Sequence, residues 1–416
     1  MSKMNKSVKR VFIGVICVTL TLFVTVLIAK IRLTKKVNVG FYGISSSVQE
    51  KFIAELEKIT DKNGKPFRYK YISLDTSVPA VNMLSNNVDL LIMYKGKNTY
   101  EVINEINKEK LALDSSILEG TTTNAASNAV FLNSAKVNAV PLLMDNVEIL
   151  LNTKDLKKQN DPLFMSIGDL EKYMYSLVGK SQFPLVFAGS DNNMLINVVT
   201  AFNEVYCGKT ETEQVQSVIA DYKDSDYAPL FNRVDFPFKE GVRFLSKLTN
   251  DNVLPRNVYH MTSADVEFFM EDEIASIVIT TLGEHRELSS KALTHYVSVP
   301  QYTNQRLSFF PSRRSNDERC CIANTICEIP LSGKKHVKYI AKKLISVETQ
   351  ESLSYSTGLA PVLARCHTPD LQADDARFWI ASGNAPIVPV YNSAFTTSSQ
   401  VFNFTQELKK VIMNNK

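Results

Sequence analysis

Short β-rich runs alternating with helical patterns constrain this chain more than any single motif. Residues 37–42 (VNVGFY), 68–74 (RYKYISL) and 88–94 (VDLLIMY) read as strands. Between the first two, Val48, Phe52, Leu56 and Ile59 recur at helical intervals after Ser47 and Glu50, which have capping-box spacing. Residues 79–84 supply a second, shorter helical pattern. Such alternation predicts a parallel sheet covered on both faces, with ligands bound at the carboxyl ends of its strands. The loops at residues 43–47 and 94–98 would lie there.

The same style returns further along. FPLVFAG (183–189) and IASIVIT (274–280) are strand-like, and Ser190, Asp191, Asn192 and Asn193 offer side-chain oxygens to open a helix over Met194–Phe202. Residues 238–248 are amphipathic, and HVKYIAKKLIS carries Val337, Ile340, Ala341, Leu344 and Ile345 on one stripe. Residues 308–319, with Arg313, Arg314 and Arg319, read as an exposed loop. With 416 residues, 44% of them hydrophobic, the chain is long enough for two or three core-forming units.

The net charge of +4 conceals an asymmetry. Residues 1–36 hold eight Lys or Arg and no acid, so the remainder carries 39 basic against 43 acidic residues. A body of that balance excludes a nucleic-acid binder. Within the basic flanks, residues 11–29 (VFIGVICVTLTLFVTVLIA) contain no charge. A helix of that length spans roughly 28 Å, the thickness of a hydrocarbon core. An uncleaved anchor is favoured over a cleaved signal, because Leu27 and Ala29 supply only half of a cleavage site.

Catalytic and metal-binding signatures are missing. Gly179-Lys180-Ser181 lacks the first glycine of a phosphate-binding loop and stands in a helix-then-strand order, the reverse of what that loop needs. The five histidines are dispersed, and Cys320, Cys321, Cys327 and Cys366 fit no zinc template, although a Cys320–Cys327 disulfide is open in an oxidising compartment. Glu271, Asp272 and Glu273 read as a solvated turn. No enzyme, no metal and no cofactor are expected. Tyr94, Tyr302 and Tyr391 fall near strand or loop ends beside polar groups, a layout suited to sugar rings, whose C–H faces stack on aromatics.

Five stretches in order resemble the extracellular solute-binding proteins of ABC importers, in the branch of the maltose-binding protein. They are VNVGFY with its polar loop, AVPLLMDNVEILLNTKDL (139–156), LFMSIGDLEKYM (163–174), SADVEFFMEDEIASIVITTLGE (263–284) and SVETQESLSYSTGLAPV (346–362). The resemblance covers nearly all of residues 37–416. It implies an α/β, two-lobed periplasmic-binding-protein fold (type II), preceded by one N-terminal transmembrane helix. Residues 1–36 would be the anchor, 37–144 and 325–367 the first lobe, and 146–322 and 369–416 the second. Crossings between lobes fall near Asp145, at 323–329 and at 366–370. Residues 139–144 and 147–151 would be separate strands, parted by Asp145 and Asn146 as the chain crosses the cleft.

Carried over position by position, the resemblance implies ligand contacts at Ser45, Ser46, Met93 or Tyr94, Asp145, Asn146, Asp191, Asn192, Asn193, Met194, Gly283, Glu284 and Tyr391. Sugar-binding members commonly stack the ligand on Trp. Here the single Trp, Trp379, lies elsewhere, which points to a smaller or more polar ligand. The implied protein is a single-pass inner-membrane receptor with its body facing the periplasm or cell exterior, handing a solute, expected to be a sugar, to ABC permease subunits. The second reading is an anchored envelope sensor or interaction protein that reuses the fold with a degenerate cleft.

Overall fold

The computed structural model describes residues 35–160, 166–222, 224–299, 322–368 and 387–414. Seven strands make the framework: β1 (Lys36–Tyr42), β2 (Arg68–Leu74), β3 (Leu90–Tyr94), β4 (Lys136–Asn152), β5 (Phe183–Val186), β6 (Ala275–Thr281) and β7 (Ala323–Pro330). They are hydrogen-bonded in the order β2-β1-β3-β7-β4-β6-β5. The first three are parallel, β7 runs antiparallel to both β3 and β4, and β5 lies parallel to β6. Strands expected from local pattern are found within two or three residues of their predicted ends.

Strand β4 joins the lobes, and it corrects the expectation of two strands. It is one continuous strand of 17 residues. What changes along it is the partner. Ala323 of β7 pairs with Asn146, while Thr281 of β6 pairs with Val147, so the first lobe's sheet ends and the second begins between adjacent residues. A strand can serve two sheets in this way because β7 pairs with it up to Asn146 and β6 takes over at Val147, so no residue at the crossing lacks a ladder partner. From Val137 to Asn152 every residue is buried except Asp145, which is half-buried.

Helices cover both faces. Ser46–Lys58 buries Val48, Phe52 and Leu56 and packs on Val347–Thr357 in the first lobe. Its cap is Ser45, whose hydroxyl accepts from the Val48 N–H, rather than the predicted Ser47. In the second lobe Asn192–Cys207 buries 11 of its residues, because Lys239–Asn250, Ser398–Asn414 and Lys209–Ala220 all pack on it. That encasement explains why MLINVVTAF lacks an amphipathic stripe. Lys239–Asn250 and Lys335–Leu344 are the surface helices their stripes predict.

Cys327 is a free thiol, which removes the disulfide to Cys320. It points into a closed apolar cluster with Met93, Val102 and Ile329, and burial pushes its thiol up to about 12. Glu271 and Glu273 are held at the surface by Lys291 and Lys154, as a solvated turn requires. None of the described helices is long and apolar enough to cross a membrane. Residues 11–29, where a membrane span is expected, lie outside the described residues, as do Tyr302, Trp379 and the 308–319 loop.

Candidate functional site

A cavity of about 1110 Å³ lies between the lobes, at the carboxyl ends of β1 and β3 and beside the partner switch on β4. Ligand pockets of small molecules fall near this size. The strand ends bring Ser45, Tyr94, Asp145, Asp191, Asn192, Asn193, Met194, Gly283, Glu284 and Tyr391 to its wall, with Met93 as well. Two expected residues are elsewhere. Ser46 is exposed in the first turn of its helix, flanked on the wall by Ser45 and Ser47. Asn146 is buried behind the wall, since adjacent strand side chains point to opposite faces.

Asp145 sits at the seam. Its Oδ1 accepts from the Gly283 N–H at 3.0 Å, tying β4 to the turn after β6. Removal from water pushes its carboxyl up to about 6, the Gly283 and Thr281 bonds opposing and nearby Glu148 assisting. Glu148 is itself buried, with Oε1 2.5 Å from His285 Nδ1. Glu284 rises to about 7, through burial and then the charges of Asp191 and Asp145, against hydrogen bonds from Thr280 and Ser263. Asp145 and Glu284 gain no cation to offset the lost hydration, so both hold their protons to higher pH than an exposed carboxyl.

Asp191 is the cap of the Asn192–Cys207 helix. Its Oδ1 accepts from the N–H groups of Asn193 (2.6 Å) and Met194 (3.0 Å). The positive end of the helix dipole thereby meets its charge. Tyr391 and Tyr94 are partly buried beside Asp145, and loss of hydration raises both phenols well above their ordinary range. The Tyr391 hydroxyl accepts from Asn324 Nδ2 at 2.7 Å, and Asn324 Oδ1 accepts from Asn392 Nδ2 at 2.6 Å.

Sequence reasoning missed Asn197, Asn324, Asn392, Phe395, Glu267 and Glu287, all on the wall. Glu287 follows Glu284 by three residues on one helix, so helical spacing could have found it, whereas Glu267 had no expected site residue on its helix to point to it. Asn324 had no local signal. It reaches the site because it pairs opposite Asp145 across the β7–β4 ladder. Ser47, expected as a cap, donates instead to Glu287 Oε1 at 2.7 Å and links the two walls. Among the described residues no group of His, Cys, Asp and Glu could hold a metal ion.

The class these features define is a two-lobed α/β fold with a cavity between the lobes. No family model matches the chain, and no curated protein matches it in sequence. Solved structures share the fold over nearly the whole length. The bacterial solute receptor AcbH, described as having an exclusive preference for β-D-galactopyranose, is 12% identical with a TM-score of 0.67, over 92% of this chain and 95% of that one. RafE in complex with raffinose is 14% identical (TM-score 0.62, covering 90% and 97%). Maltose-bound MalE3 of T. maritima is 12% identical (TM-score 0.59, covering 92% and 99%).

Proposed function

We propose that the protein is a membrane-tethered, extracytoplasmic solute receptor that binds a sugar between its lobes and delivers it to an ABC importer. The observation that supports this best is the cavity at the partner switch of β4, where Asp145 is the one residue from Val137 to Asn152 left partly open to solvent. A buried strand carries an acid at such a point when a ligand or water is to take its hydrogen bonds. Tyr94, Tyr391 and Phe395 add ring faces to the same space. The fold shared with the solute receptor AcbH, with RafE in its raffinose complex and with maltose-bound MalE3 favours the same reading.

No covalent step is required. Binding would proceed by hinge closure, the ligand favouring the closed population because it touches both walls only there. Residues 11–29 would hold the body at the inner membrane, facing the periplasm or cell exterior, where permease subunits are within reach. A thermal-shift screen of mono- and oligosaccharides on the detergent-solubilised full chain tests the reading. A rise in melting temperature with at least one sugar, saturating with concentration, is expected. Failure of every sugar would turn the assignment to an anchored sensor with a silent cleft.

A further inference from the structure

Six carboxylates line the cavity: Asp75, Asp145, Asp191, Glu267, Glu284 and Glu287. Among the described residues its wall carries no Lys, Arg or His, and none of the six forms an ion pair. Lys409 feels the charge of Asp191, but its ammonium is spent on the Tyr259 carbonyl at 3.1 Å. A second, independent feature points the same way. Asn197 is 5% exposed and lies on the cavity wall, yet its Oδ1 has no hydrogen-bond partner. A buried acceptor left unmade is costly, and it calls for a donor from the ligand.

Resting on the receptor reading above, we propose that the ligand is cationic: an amino sugar, or a small saccharide bearing a free ammonium group, seated among Asp145, Asp191, Glu284 and Asn197. An ammonium offers three donors and no acceptor, which matches a wall rich in acceptors. A hydroxyl could bond to any one of these carboxylates, but it would leave their mutual repulsion in place. An ammonium relieves it, in surroundings where charge interactions exceed their strength in bulk water. Asp191 is partly offset by the N-terminus of a 16-residue helix, whereas Asp145 and Glu284 meet only that of the six-residue helix Leu282–Glu287, whose dipole is smaller. The cation therefore belongs nearest those two. Tyr94, Tyr391 and Phe395 are on the same wall, and aromatic faces attract an ammonium as well as a sugar ring.

Calorimetry on the detergent-solubilised full chain, with matched sets of ligands, tests this. Each set holds an amine, its N-acetylated form and the parent sugar: glucosamine, galactosamine and the chitosan disaccharide lead the sets, and spermidine serves as a non-sugar amine. At about pH 7, where the amino sugars are largely protonated, the amine of one set is expected to bind at least about tenfold more tightly than both neutral members. That advantage shrinks as pH falls through 6 toward 5, because Glu284 and Asp145 take up protons over that range while the amine stays charged. Glu284→Gln should cut the amine's affinity by more than it cuts that of the neutral sugar. Equal or tighter binding by a neutral member overturns the cationic assignment and leaves a sugar receptor. Binding of spermidine alone supports the cationic cleft and overturns the sugar reading. No binding by any member removes both.

Discussion

On the first-lobe side of the cleft Ser45, Ser47, Tyr94, Gly96 and Asn98 face the cavity, and Asp75 is the carboxylate there, already bound to the hydroxyl and N–H of Ser77. On the second-lobe side stand Asp191, Glu267, Glu284 and Glu287, with Asp145 at the seam. The same βα construction builds both walls, yet one presents mostly hydroxyl, amide and ring groups with the single carboxylate Asp75, and the other presents four carboxylates. The difference assigns roles. The acidic wall would capture a ligand from the open state, since its field acts at a distance. The other wall would close over it with contacts that work only at bonding range.

Asp145→Ala should break this division most strongly. A hydrogen bond to a charged group contributes about 1.5–3 kcal/mol, so ligand affinity is expected to fall roughly ten- to a hundredfold. An affinity unchanged within about twofold by calorimetry would remove Asp145 from the site. Gly96→Ala perturbs the first-lobe wall instead. A Cβ there would stand 2.1 Å from the Asn392 carbonyl oxygen, a backbone atom that cannot step aside cheaply. The expected loss is about 1–3 kcal/mol of stability, read as a lower denaturant midpoint. A wild-type midpoint would mean the contact is loose.

Acidity supplies a third test. Asp145 and Glu284 are raised from 3.8 and 4.5 to about 6 and about 7, so the folded protein binds these protons more readily than the unfolded chain. Their contribution is greatest below the unfolded values and is lost as pH rises through the folded ones. The ligand-free protein should therefore melt at a higher temperature near pH 5 than near pH 8. The double variant Asp145→Asn, Glu284→Gln should flatten that trend, and an equally steep trend in the variant would place its origin elsewhere. The smallest effect concerns Ser47→Ala, which removes the hydroxyl bond to Glu287 across the walls. About 0.5–1.5 kcal/mol is expected, chiefly as a faster ligand off-rate by stopped flow.

Much of the framework was legible because its signals are local. Continuous apolar runs such as 88–94 and helical stripes such as Val337, Ile340, Ala341 and Leu344 are consequences of near-neighbour geometry, and the strands and helices stand where those patterns put them. Asp191 was found by its capping chemistry, which spans only three residues. Ser47 was misjudged as a cap because Ser45, Ser46 and Ser47 offer three equivalent hydroxyls, and only packing across the cleft chooses among them.

By itself, then, the sequence determined alternating α and β elements, a charge balance unsuited to nucleic acid, and an acid set inside an apolar stretch at Asp145. Tertiary structure decided what that acid does. Whether β4 breaks at Asp145 or continues depends on β7 and β6, which pair with it from more than 120 residues away along the chain. The collection of six carboxylates around one cavity likewise draws on residues from Asp75 to Glu287, and Asn197 and Asn324 join them through helix packing and strand register. Local propensity carries no information about such meetings. They arise only when burial brings distant segments together and fixes which side chains share a face.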